Sequence, residues 1–188
     1  MRRPSKREMS VGKTMMLEHF AKPKKDRSAE SSPTLGIHSD ISTRFMTAQA
    51  ARLRVELWDT AGQEKFRSTV RSHYRGANGA LLIYNVTSTR SFSACKAWLE
   101  DLRTKIDEDV PIMLVGNQID LSGLREVQAS EGKKFANDNN TLFAEISAKE
   151  GTGVDYAFQT LVEEVFTRLK KNKTTNSRSM IHRRELRM

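Results

Sequence analysis

The sequence is short of the features that mark secreted, disulfide-stabilised and membrane-spanning proteins. Its 188 residues contain a single cysteine, Cys95, which excludes an internal disulfide framework and fits a reducing compartment. No apolar run is long enough to cross a bilayer, and the basic residues 1–7 do not form a signal peptide. The basic ends also lack interleaved aromatic residues, which argues against a nucleic-acid interface. We therefore expect a cytoplasmic protein that does not bind nucleic acid.

Length and charge indicate one domain with basic ends. The net charge is +9, and the excess of lysine and arginine is concentrated at the two ends of the chain. The length between those ends is sufficient to bury a real core. We predict a basic segment over residues 1–10, one domain over residues 11–171, and a basic, disordered tail over residues 172–188.

Strand and helix patterns alternate along the domain, which is typical of a three-layer α/β fold. Apolar patterns predict strands at 41–47, 52–58, 79–86, 112–115 and 142–146. The first two form an antiparallel hairpin, and the almost continuous apolar runs of the next two favour parallel strands covered on both faces. Helical spacing predicts amphipathic helices near 92–106 and 127–135, a short irregular helix at 66–75, and a long closing helix over 154–169. Cys95 lies on the apolar face of one of them and is expected in the core.

The densest group of functional candidates follows the second predicted strand, in the segment Trp-Asp-Thr-Ala-Gly-Gln-Glu at residues 58–64. Asp59 at a strand end can hold Mg²⁺ through water, and Gly62 lets a backbone N–H approach a terminal phosphate. Gln63 can then orient an attacking water. A polar turn would explain any one of these residues, but their order together favours phosphate chemistry.

A second candidate site lies near the start of the chain, at Gly12, Lys13 and Thr14. They match the back half of a phosphate-binding loop, in which the lysine reaches the β- and γ-phosphates and the threonine hydroxyl ligates Mg²⁺. Two features depart from that pattern. Arg7 stands at the position of the loop's first glycine, and no apolar run precedes it to supply the expected buried strand. That strand is therefore missing or degenerate.

A third candidate site follows the fourth predicted strand, in Gly-Asn-Gln-Ile-Asp at residues 116–120. An aspartate at Asp120 can accept two hydrogen bonds from N1–H and the 2-amino group of guanine, a donor pair that adenine lacks. Asn117 would support the base and the loop. Gln118 stands where the guanine-reading pattern N-K-x-D has a lysine, so packing on one face of the base is weakened. Asparagine and aspartate are also ordinary turn formers after a strand, and the motif alone leaves both interpretations open.

Taken together, these motifs resemble the Rab branch of the Ras superfamily of small GTPases, from about residue 11 to residue 169. The resemblance implies a P-loop NTPase fold with a mostly parallel central sheet in which the missing first strand is normally central. It implies GTP or GDP with Mg²⁺ as cofactors, with the metal held by Thr14 and Thr34 directly and by Asp59 through water. Nucleotide contacts would come from Gly12, Lys13, Thr34, Gly62, Asn117, Asp120, and the loop Ser147, Ala148 and Lys149, whose backbone N–H contacts guanine O6.

Two functions follow from the resemblance. The first is a nucleotide-dependent switch in vesicle trafficking that hydrolyses GTP with Gln63 and works with effectors, an exchange factor and a GTPase-activating protein. The second is a Rab-like interaction protein that binds nucleotide poorly, because of Arg7, the missing strand and Gln118. Rab proteins usually end in prenylated cysteines. This chain has none there, so we expect at most weak attraction of its basic tail to the cytosolic face of endomembranes.

Overall fold

The computed structural model describes residues 11–21, 41–58, 76–175 and 185–187. Its helices are α1 (Lys13–Ala21), α2 (Thr89–Arg103), α3 (Ala129–Asp138) and α4 (Val154–Thr175). Its strands are β1 (Ile41–Ala48), β2 (Ala51–Trp58), β3 (Ala80–Asn85), β4 (Ile112–Asn117), β5 (Leu142–Ile146) and β6 (Glu185–Arg187). A 3₁₀ segment spans Ile119–Leu124. None of the described helices is long and apolar enough to cross a membrane. The helix predicted at 66–75 lies outside the described residues.

The strands form two three-stranded sheets, with the orders β1-β2-β6 and β3-β4-β5. The second sheet is parallel throughout, with Ala80 paired with Ile112 and Met113 with Leu142. Every residue of β4 is buried, which explains its unbroken apolar run. These strands confirm the sequence prediction with two differences in their bounds. β3 is one residue shorter at each end than predicted, and β4 continues two residues further and includes Gly116 and Asn117.

The predicted hairpin is confirmed as β1 and β2, which pair antiparallel from Ile41 and Trp58 to Ala48 and Ala51. Its two turn residues, Gln49 and Ala50, both have positive φ, at 47° and 64°. That geometry suits the twist of a two-residue hairpin, but it is costly for residues other than glycine, asparagine and aspartate. The tip is fastened to α4, because the Gln49 amide donates to the Thr167 hydroxyl at 2.9 Å.

The structure describes two parts of the segment 172–188, for which the sequence predicts a disordered tail. Helix α4 runs on to Thr175, and residues 185–187 form β6, which pairs parallel with β2. Extending an existing helix forms one new hydrogen bond for each residue that is ordered, which favours continuation of α4. The Lys170 ammonium also lies 4.6 Å from the Phe166 ring centroid, a cation–π contact within this helix. The β6 pairing joins distant parts of the chain, so local composition could not reveal it.

Both sheets contribute to one core beneath α1 and α4. Leu53, Val55 and Leu57 of β2 are buried in the same cluster as Met113 and Val115 of β4. The Phe20 ring of α1 stacks against Phe158 of α4 with centroids 3.9 Å apart. The alternate β4 residue Leu114 packs with Tyr84 and Cys95 in a second cluster on the other face, beneath α2 and α3. Helices therefore cover both faces of the parallel sheet, as the predicted three-layer fold requires.

Tyr84 fills the second cluster tightly. It is fully buried, and its hydroxyl has no hydrogen-bond partner among the described residues. A Cβ added to Gly132 of α3 would lie 2.4 Å from that hydroxyl and 2.7 Å from the Phe143 ring. Burial, and then the charge of Glu145, hold the pKa of the Tyr84 hydroxyl above its ordinary value. Cys95 lies in the same cluster, where burial raises the pKa of its thiol to about 12, so it has no nucleophilic character.

Candidate functional site

The buried amide of Asn117 joins three segments at the carboxyl end of β4. Its Nδ2 donates to the carbonyl oxygen of Val11 at 2.9 Å, just before α1. Its Oδ1 accepts from the backbone N–H of Ala148, also at 2.9 Å, in the loop after β5. Only 1% of Asn117 is exposed. The side chain thus fixes the start of α1 and the loop after β5 to one strand end, where ligands of open α/β sheets bind.

Gly12 meets Asn117 at a distance that leaves no room for a side chain. An added Cβ would lie 2.4 Å from Asn117 Nδ2, and the φ of Gly12 is +79°. Helix α1 begins at the next residue, and Met16 N–H donates to the Gly12 carbonyl at 3.0 Å. Lys13 and Thr14 form the first turn of this helix and are partly buried. The first N–H groups and the dipole of a helix favour an anion at this end.

Asp120 is oriented by the loop after β5. The fully buried hydroxyl of Ser147 donates to Asp120 Oδ1 at 2.7 Å and accepts from the backbone N–H of Glu150 at 3.1 Å. Within the described part of the chain, no group bonds the other carboxylate oxygen, Oδ2. Gln118, at the turn between Asn117 and Asp120, has a φ of +71°, in the left-handed region. Asp120 is thus held through Oδ1, and it can offer Oδ2 and the second lone pair of Oδ1 to a ligand.

The structure brings together the part of the predicted site that it describes. These residues lie just before and in the first turn of α1, at the end of β4, in the 3₁₀ segment after β4, and in the loop after β5: Gly12, Lys13, Thr14, Asn117, Asp120, Ser147, Ala148 and Lys149. The other predicted residues, Thr34, Asp59, Gly62 and Gln63, lie outside the described residues, as does Arg7. In the ranges that the structure describes, no group of three or more His, Cys, Asp or Glu could hold a metal ion. Because Thr34 and Asp59 lie outside the described residues, Thr14 is the one predicted magnesium ligand that the structure describes.

Two contacts of this site were not predicted from the sequence. One is the Ser147 hydroxyl bond to Asp120, because the sequence pattern assigned this loop only a backbone role. The other is the packing of His19 on Gly151, where an added Cβ would lie 1.9 Å from the His19 Nε2. This contact ties the last turn of α1 to the loop after β5. Neither pair is close in sequence, so only the fold reveals them.

Comparison with known proteins gives a consistent result over most of the chain. The sequence profile of the Ras family matches residues 8–167. The chain is 37% identical over 172 residues to Ras-related protein Rab-25 of Bos taurus, covering 92% of this chain and 79% of that protein. It is 38% identical over 168 residues to Ras-related protein RABA4d of Arabidopsis thaliana, covering 89% and 74%. It is 39% identical over 170 residues to Ras-related protein RGP1 of Oryza sativa, covering 90% and 74%.

Proposed function

Because the chain belongs to the Ras family of small GTPases and is of the Rab type, we propose that it binds GTP and GDP with Mg²⁺. We further propose that it acts as a nucleotide-dependent switch in vesicle trafficking. The trafficking role rests on the similarity to Rab proteins. The nucleotide role has additional support in the geometry at Asn117.

The three-way contact of Asn117 is the observation that best supports nucleotide binding. A phosphate-binding helix start and a base-reading loop are useful only if they are held at a fixed separation. Asn117 does this with two hydrogen bonds of 2.9 Å from one buried side chain. Buried polar side chains are costly unless they are satisfied, so a buried amide that is bonded at both its nitrogen and its oxygen favours a precise site over an accidental turn.

The first turn of α1 is the proposed phosphate site. Lys13 would place its charge at the β- and γ-phosphates, and the backbone N–H groups of the turn would donate to their oxygens. Thr14 would hold Mg²⁺ together with Thr34 and, through water, Asp59. Mg²⁺, when bound, neutralises negative charge on the phosphate oxygens. Gln63 would orient the attacking water. The absence of a Cβ at Gly12 lets Asn117 pack directly against the residue that precedes this turn.

The loops after β4 and β5 are the proposed guanine site. Asp120, positioned through Oδ1 by Ser147, would accept from N1–H and the 2-amino group of the base. The Ala148 N–H donates to Asn117 in this structure, and we expect this bond to be shared or exchanged when guanine O6 is present. Lys149 follows in the same loop. Adenine cannot supply the paired donors, so the site favours guanine.

A Rab-like interaction protein with weak nucleotide binding is the second candidate function. The side chain of Gln118 favours it, because this residue stands where the guanine-reading pattern has a lysine. Glutamine also lacks the long alkyl stem that a lysine would lay along the base. In this case the chain would bind its protein partners without a nucleotide-dependent change of affinity.

The nucleotide carried by the purified protein separates the two candidates. The full chain is purified with Mg²⁺ and denatured, and the released nucleotide is separated by chromatography. A switch is expected to release close to one GDP or GTP per chain. A chain that releases none, and whose melting temperature does not move on adding GDP or GTP, would instead be the interaction protein. ADP is the matched control ligand.

Partners and location follow from the switch proposal. Intrinsic hydrolysis in such proteins is slow, so a GTPase-activating protein and an exchange factor are expected, and the GTP-bound form would recruit effectors at the cytosolic face of endomembranes. Capture from cytosol by the chain loaded with a non-hydrolysable GTP analogue, compared with the GDP-loaded chain, tests this role. Equal capture by both forms would remove the support for a switch.

A further inference from the structure

The second edge of β2 is occupied by a short segment from far along the chain. In the sheet order β1-β2-β6, β2 is central, with β1 antiparallel on one side and β6 parallel on the other. The β6 register pairs Arg54 with Glu185, Val55 with Leu186 and Glu56 with Arg187. β6 supplies hydrogen-bond partners for backbone groups of β2 that an open sheet edge would leave unpaired.

We propose that the edge of β2 at Arg54–Glu56 is an acceptor site for a parallel peptide strand, and that its occupant is this chain's own segment 185–187. The segment is then a structural strand of the domain. This assignment does not depend on nucleotide binding, and it would hold for a switch and for an interaction protein alike.

The burial of β2 favours pairing of its backbone at the Arg54–Glu56 edge. Leu53, Val55 and Leu57 of β2 are at most 1% exposed, and Glu56 is 9% exposed. A strand this deeply packed cannot turn its free N–H and C=O groups fully to water, and each one left unpaired in the interior is costly. A parallel neighbour satisfies them, so the edge favours any compatible strand within reach.

The order of charged and apolar residues in the two strands favours residues 185–187 as the partner, in the observed register. Each charged residue of the β2 edge is paired with one of opposite sign, and the apolar Val55 is paired with the apolar Leu186. A slip of two residues would pair Glu56 with Glu185 or Arg54 with Arg187, and like charges at paired positions are destabilising. A slip of one residue would place a charged residue against Val55. The Arg54 guanidinium also lies 3.0 Å from the Glu56 carboxylate, so both signs of charge are present along this edge of β2.

Exchanging two residues of the segment tests the register without changing composition or net charge. The double variant E185R/R187E places like charges at both charged pairs and leaves the amino-acid content identical. Amide hydrogen exchange of residues 53–57 is measured in the full chain, with β4 as the internal reference. We expect exchange at residues 53–57 to be about tenfold faster or more, with β4 unchanged. Adding R54E/E56R to that variant restores opposite charges and should restore protection.

The backbone requirement is tested separately at Leu186. Leu186→Pro removes a donor and is expected to accelerate exchange at residues 53–57, whereas the matched control Leu186→Val keeps strand geometry and should match the unmodified chain. Unchanged protection of β2 in both E185R/R187E and Leu186→Pro would overturn the proposal. If E185R/R187E loses protection throughout the domain, the proposal is supported only when adding R54E/E56R restores that protection. If adding R54E/E56R does not restore it, the proposal is overturned. If the protection of residues 53–57 falls when the protein is diluted, the paired strand comes from a second copy of the chain, and pairing within one chain is overturned.

Discussion

At the scale of single residues, Asp120 should decide which base is bound. Replacing Asp120 with Asn removes one acceptor for the guanine donors and introduces an N–H₂ that can face an oxygen instead. Since hydrogen bonds to charged groups contribute about 1.5–3 kcal/mol each, we expect GDP affinity to fall by roughly 10- to 100-fold or more. Xanthosine diphosphate, which carries an oxygen at position 2, should bind better than GDP.

Titration calorimetry with the two nucleotides checks this expectation. The control is Asp138→Asn, which removes an exposed carboxylate at the end of α3 and should leave both affinities unchanged. Equal loss of both nucleotides in Asp120→Asn would mean that this residue shapes the loop without reading the base.

Also at residue scale, the contact of Gly132 with Tyr84 should make a glycine-to-alanine substitution in a helix destabilising instead of stabilising. Glycine to alanine inside a helix usually stabilises by about 0.5–1 kcal/mol. Here the new methyl would lie 2.4 Å from the Tyr84 hydroxyl, and overpacking of this kind costs about 1–3 kcal/mol, so we expect Gly132→Ala to lower the free energy of unfolding. Tyr84→Phe removes a buried hydroxyl that has no partner among the described residues, and should be neutral or stabilising by about 1 kcal/mol.

Urea unfolding of the two single variants and the double variant measures the coupling. The cost of Gly132→Ala should be smaller in the Tyr84→Phe background, though still present because Phe143 also lies close to that position. Strictly additive effects would show that the hydroxyl is not what crowds the site.

At the scale of elements, the turn between β1 and β2 has a strained backbone that a single substitution should relieve. Ala50 has a φ of +64°, which costs a residue with a Cβ about 1–2 kcal/mol, whereas glycine adopts it freely but loses about 0.4–1 kcal/mol through the unfolded chain. The first effect is larger, so Ala50→Gly should raise the free energy of unfolding by about 0.5–1 kcal/mol. Ala136→Gly, at a buried site in α3, is the control and should destabilise. A destabilised Ala50→Gly variant would show that the turn is not strained.

Arg44 links three elements, and its contacts are unequal in value. Its guanidinium donates to the Phe20 carbonyl of α1 at 3.1 Å and to Asp155 of α4 at 2.7 Å, and it lies 4.5 Å from the Phe20 ring centroid. The Asp155 side chain is 72% exposed, so this ion pair contributes little. We expect Arg44→Ala to cost about 1–2 kcal/mol and Asp155→Ala less than about 0.5 kcal/mol, by thermal or urea unfolding. Equal costs would mean that the ion pair dominates.

The elements also show which features local sequence can predict. The strands of the parallel sheet and the amphipathic helices followed from apolar periodicity, because burial on one or two faces leaves a local pattern. The strain at Gln49 and Ala50 did not, since those residues carry no turn signal. Asn117 and Asp120 were predicted as site residues from their motif, but the bonds to Val11 and Ser147 that orient them join segments far apart in sequence. The pairing of β6 was missed for the same reason.

At the scale of the whole molecule, a guanine nucleotide should act as a stabilising cross-link between α1 and the loops after β4 and β5. A ligand at 100 times its dissociation constant adds about 2.7 kcal/mol, and a chain of this size gains roughly 2–4 °C per kcal/mol. We therefore expect GDP with Mg²⁺ to raise the melting temperature by roughly 5–11 °C, and chelation of Mg²⁺ by EDTA to remove part of the gain.

Differential scanning fluorimetry with GDP, ADP and no ligand measures this shift. ADP at the same concentration should leave the melting temperature unchanged, because the proposed base site rejects adenine. An equal shift with both nucleotides would point to a general phosphate effect.

The late position of β6 in the chain has a consequence during synthesis. Residues 54–56 are synthesised roughly 130 residues before residues 185–187, and at about 5–20 residues per second this interval is on the order of ten seconds. During that time the edge of β2 lacks the backbone partners that β6 supplies, and it can pair with strands of other chains. Slow translation of the last third of the message should therefore increase the demand for chaperones, and faster translation should relieve it.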